Sequence, residues 1–73
     1  MKYIIYVFRT NVNYVGQAEA IIAMLINYCK GLKISFDLED CDKILRIEHP
    51  GVLASEIIHL VRKQGFDCEE LTD

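Results

Sequence analysis

Three cysteines and two histidines hold most of the chemistry open to this 73-residue chain, and their spacing restricts it severely. Cys29, Cys41 and Cys68 form an odd, widely separated set without a C-x-x-C pair. With no secretion signal in the sequence, such a set reads as reduced thiols and not as a disulfide framework. Cys41, between Asp40 and Asp42, is the candidate ligand for a soft metal ion, against the plainer reading of a turn position that happens to be Cys. Cys29 and His49 could pair, but two ligands without a third make poor zinc chemistry. His59 falls on the polar face of a helix. A general base there would need a nucleophile and an orienting partner, and the pattern supplies neither. No Gly-rich phosphate loop is present. The expectation is no catalytic residue, no cofactor and no enzyme.

Composition narrows the partners. A net charge of −3 and a pI near 5.2, without a polybasic arm, exclude a general nucleic-acid binder, which needs cations to displace counterions from phosphate. An RNA-binding sheet would require aromatics on its third strand, and Lys43 to His49 has none. The 52% apolar content argues for a packed core in a single domain, residues 1–73. Domains this small hide only about 60% of their unfolded surface, so the core must be thin. Tyr3 to Phe8 is too short for a signal sequence, and Ala20 to Ile26 too short to span a bilayer. A cytoplasmic protein with no membrane insertion is expected.

The elements that must position these residues follow from periodicity. Tyr3 to Phe8, rich in β-branched and aromatic residues, predicts a central strand. Thr10 to Asn13 predicts a turn. A helix is expected from about Tyr14 to Lys30, with Val15, Ala18, Ile22, Leu25 and Cys29 as its inward stripe and Gly31 as a left-handed cap. Leu32 to Leu38 alternates as a half-buried strand, Glu39 to Asp42 turns, and Lys43 to His49 returns. After Pro50-Gly51, a second helix over Val52 to Gln64 turns Ile57, Ile58 and Val61 inward. Gly65 caps it, and Phe66 to Leu71 is a last strand. Strand, helix, strand, strand, helix, strand predicts an α+β, ferredoxin-like βαββαβ sandwich: a four-stranded antiparallel sheet, first and third strands central, both helices on one face.

The second half carries a family resemblance. Gly31 to Glu39 (GLKISFDLE), Ile44 to Ile47 (ILRI), Glu56-Ile57-Ile58 and Val61 leading to Gly65-Phe66 resemble a heavy-metal-associated domain, the family of copper chaperones and of the N-terminal domains of metal-transporting ATPases. The resemblance implies a metal site at a C-x-x-C pair in the loop between first strand and first helix. Here that loop, Arg9 to Gly16, reads RTNVNYVG and holds no Cys, His, Met or carboxylate. The expectation is therefore a divergent member with a degenerate site that works as a non-catalytic interaction module. The alternative is a Cu or Zn carrier using unusual ligands, Cys41 foremost.

Apolar residues are also over-supplied. In the first strand Tyr3, Ile5 and Val7 alternate with Ile4, Tyr6 and Phe8, and only one set can meet the helices. The other must lie on the open sheet face beside Ile44. On the first helix Ala20, Ala23 and Met24 fall outside the inward stripe. Tyr3, Ile5, Val7, Ile44, Ala20 and Met24 are the candidate interaction surface, for a protein partner or a second copy of the chain.

Overall fold

The computed structural model describes residues 4–48 and 51–71; Tyr3, His49 and Pro50 lie outside the described residues. The chain runs β1 (Ile5–Thr10), α1 (Val15–Tyr28), β2 (Lys33–Asp37), β3 (Ile44–Glu48), α2 (Ala54–Lys63) and β4 (Cys68–Glu70). It forms a small α+β domain whose antiparallel sheet has the order β2-β3-β1-β4. β1 and β3 are thus central.

Residues opposite one another across an antiparallel pair share a face. Phe8 faces Leu45, Tyr6 faces Ile47 and Thr10 faces Cys68. This face carries the core: Phe8, Leu45, Ile47 and Cys68 are buried and join Ala18, Ile21 and Leu25 of α1 and Ile57 and Val61 of α2 in one cluster. Tyr6 and Phe8 stack tilted, ring centroids 5.9 Å apart, and the Tyr6 hydroxyl donates to the Val52 carbonyl. The choice the alternation of β1 leaves open is settled: Tyr6 and Phe8 meet the helices, and Ile5 and Val7 take the open face.

Three expectations need correction. β1 continues through Arg9 and Thr10, which would otherwise read as loop, because β4 pairs there in the register Phe8↔Glu70, Arg9↔Glu69, Thr10↔Cys68. The inward stripe of α1 is Ala18, Ile21 and Leu25, whereas Val15 is 67% exposed and Ile22 only half-buried. Val12, from the preceding loop, is fully buried in the same core cluster, whereas Val15 stays outside it. Met24 is half-buried and packs against the core, not outward; Ala20 is exposed as expected.

Local chemistry explains the helix ends. The Gln17 side-chain oxygen accepts from the Asn13 and Tyr14 N–H groups at 3.3 Å each, and the Glu56 carboxylate accepts from Leu53 N–H at 3.4 Å, so each helix satisfies its entry from its own first turn. Gly31 and Gly65 follow α1 and α2 with φ of +91° and +95°, a conformation that costs a side chain about 1–2 kcal/mol.

Candidate functional site

The loops bearing the candidate residues meet at one end of the sheet, and backbone chemistry explains why. Thr10 ends β1 with its N–H donating to the Asp42 carbonyl at 3.0 Å. Its hydroxyl donates to the Lys43 carbonyl at 2.6 Å and accepts from Val12 N–H at 3.2 Å. From the adjoining loop, Asn11 Oδ1 accepts from Asp67 N–H at 2.8 Å. The first loop is therefore tied to the β2–β3 turn and to the connection after α2. Arg9, just before it, pairs with Glu69 across β1 and β4.

Cys41 stands at the exposed tip of the β2–β3 turn. Asp37 Oδ1 accepts from Glu39 N–H at 3.2 Å and Asp40 Oδ1 from Asp42 N–H at 2.8 Å, while Lys43 Nζ donates to the Leu38 carbonyl at 2.8 Å. Ligand atoms of Asp40, Cys41 and Asp42 all lie within 4.8 Å of one another. Such a set offers one soft sulfur and two hard oxygens, but one Asp40 oxygen is already engaged in shaping the turn. The first loop, which the resemblance would arm with thiolates, instead spends Thr10 and Asn11 on hydrogen bonds and Val12 on the core. The sequence reading missed this structural commitment; the only signal for it was Val12, an apolar residue amid turn formers.

The other two cysteines do not converge on this turn's thiol. Cys68 is buried on β4, and burial pushes its thiol up to about 11, partly opposed by the Arg62 guanidinium; at neutral pH it is a protonated, apolar-like group. Cys29 caps α1 half-buried, with its sulfur 3.9 Å from the Lys30 carbonyl. His59 is exposed on α2, as expected. Tyr28 ends α1 close to Glu56 of α2; desolvation first, then that carboxylate, raises its hydroxyl above its ordinary value.

Of the candidate interaction residues, Ile5, Val7 and Ile44 share the open sheet face. Ile5 is 53% exposed; Val7 and Ile44 are half-buried. Their cross-strand partners are polar: Ile5 faces Glu48, Val7 faces Arg46 and Ile44 faces Asp37. A shallow hollow lies between Val7, Ser35, Ile44, Arg46 and the turn residue Asp40. Ala20 belongs to a separate surface, the outer side of α1, where a second apolar hollow involves Ala23, Met24 and Ile26. No described helix is long and apolar enough to cross a membrane. No family model matches the chain, and comparison with curated proteins and with solved structures gives no significant match.

Proposed function

We propose that the chain is a non-catalytic interaction module on a ferredoxin-like βαββαβ scaffold, akin to heavy-metal-associated domains but without their thiolate pair, and that it acts by contacting protein. The observation that carries the reading is the open sheet face. Ile5 and Val7 of β1 and Ile44 of β3 lie on this face, interleaved across the strands with Glu48, Arg46 and Asp37. Part-exposed apolar side chains beside an arginine, a residue enriched at interfaces, suit a protein-binding surface. Support for the scaffold comes from the element order and the central β1 and β3. Support for the lost metal role comes from the first loop, whose Thr10, Asn11 and Val12 are given over to structure.

A second reading, a Cu or Zn carrier, is favoured by the Asp40, Cys41 and Asp42 cluster. Thiolate suits both ions, whereas adjacent carboxylates add affinity without selecting Cu(I). Titrating the reduced chain with Cu(I) and with Zn(II), alongside Cys41→Ser, separates the two readings. The interaction module expects no stoichiometric binding by either protein. Tight one-to-one binding that Cys41→Ser abolishes would replace it with the carrier.

A further inference from the structure

β2 is the outermost strand on its side of the sheet, and among the described residues no strand lies beyond it. An edge strand presents unpaired N–H and C=O groups, which proteins usually blunt with proline, a bulge or an inward-pointing charge. Lys33–Asp37 has no proline, no bulge and no inward-pointing charge; of the usual guards it carries only its end charges, Lys33 and Asp37. Its register with β3 runs unbroken from Lys33↔Glu48 to Asp37↔Ile44, and both of its charges lie on the open face.

The strand is also complementary to itself. Two copies set antiparallel about a twofold axis at Ser35 bring Lys33 opposite the partner's Asp37, and Asp37 opposite the partner's Lys33, on the open face. On the helix face Ile34 meets the partner's Phe36. Opposite charges and large apolar side chains are both favourable cross-strand pairs. Ile34 and Phe36 are only half-buried in the single chain while packing against its core, so a neighbouring strand would finish covering them. The helix above adds to the same edge. α1 packs over the β2 side of the sheet, and Tyr28 marks the flank of α1 that turns to α2 through Glu56. Ile22 and Ile26 lie on the other flank at helical spacing, and Ile26 is 43% exposed. The opposite edge of the sheet has no such fit. β4 is only Cys68–Glu70, and the same operation about Glu69 would set that carboxylate against its own copy.

We propose that the chain forms a twofold dimer by antiparallel β2–β2 pairing centred on Ser35, joining two four-stranded sheets into one continuous sheet. The pairing edge shares Ser35 and Asp37 with the open-face hollow beside Val7, so amide exchange on the unaltered parent is the readout that tests the dimer separately from the interaction reading above.

Light scattering on the eluting protein tests it with a charge swap. The parent should have twice the mass of one chain. Lys33→Asp sets Asp against Asp37 and Asp37→Lys sets Lys against Lys33, so each variant should elute as a folded monomer. Mixed together they restore both opposite-charge pairs and should return to the dimer mass. A parent that stays monomeric at high concentration, single variants that stay dimeric, or a mixture of folded monomers that fails to associate would each overturn the proposal. Amide hydrogen exchange on the unaltered parent gives a second readout. Protection of β2 amides should rise with protein concentration while that of β4 stays constant, and a concentration-independent β2 would count equally against the dimer.

Discussion

The hydroxyl of Thr10 donates to the carbonyl of Lys43 at 2.6 Å, joining the end of β1 to the start of β3 where the β2–β3 turn closes. Thr10 is 6% exposed, and Lys43 holds the left-handed φ of +48° that turns the chain back into β3. Thr10→Val keeps the shape and removes the donor, leaving the Lys43 carbonyl and the Val12 N–H without their side-chain partner. Urea unfolding should show a loss of about 1–3 kcal/mol. An unchanged midpoint would mean that the turn closes without this bond.

Val12 and Val15 exchange the roles their positions suggest. Val12 is fully buried from the loop, whereas Val15 is 67% exposed on the helix. Val12→Ala should cost about 1.5–3 kcal/mol for the lost burial and the space left behind. Val15→Ala should stay within about 0.5 kcal/mol. Equal losses from the two substitutions would contradict this arrangement.

Gly16 within α1 should respond with the opposite sign to Gly31 and Gly65, which follow the helices. Open space surrounds Gly16, Gly31 and Gly65, so an added methyl meets no neighbour. Gly31→Ala and Gly65→Ala should nonetheless lose about 1–2 kcal/mol each, because their positive φ crowds a Cβ against its own backbone. Gly16→Ala, in the first turn of α1, should gain up to about 1 kcal/mol from the lower entropy of the unfolded chain. Thermal unfolding of the three variants decides the signs.

Cys68 makes stability fall in alkaline solution. Below the ordinary thiol value of 9.0 its proton is held in both folded and unfolded chains, and it contributes no pH dependence. Between 9.0 and about 11 the unfolded chain loses that proton while the buried thiol keeps it. The unfolded state then binds fewer protons, so stability drops as pH rises, by at most about 1.4 kcal/mol per pH unit. Urea midpoints across this range, compared with Cys68→Ala, isolate the contribution: the variant should show a shallower decline. A thiol reagent at neutral pH should label exposed Cys41 well before Cys68, and the reverse order would refute the burial.

Much of the scaffold was legible because its signals are local. Alternation marked β2, the stripe of Ile57 and Val61 marked α2, and Gly31 and Gly65 marked the ends of both helices, since each signal depends only on neighbours in sequence. The apolar character of β1 could not reveal which face turns inward, because both alternations are hydrophobic; α1 and α2 covering Tyr6 and Phe8 made that choice. Periodicity misjudged α1 for a related reason. Several apolar stripes fit its sequence, and Val12 enters the core from a loop while Val15 stays outside it.

The loop from Arg9 to Gly16 was readable from sequence alone in one respect: it holds no thiol, imidazole, thioether or carboxylate, and residue type suffices to establish that. Only the tertiary structure decided what the loop does instead. Thr10 reaches Asp42 and Lys43 and Asn11 reaches Asp67, contacts between segments far apart in the chain, and the Thr10 bonds set the turn that carries the consecutive Asp40, Cys41 and Asp42 beside that loop. Side-chain type is written locally, whereas a hydrogen bond between distant segments exists only once the sheet has brought their backbones together.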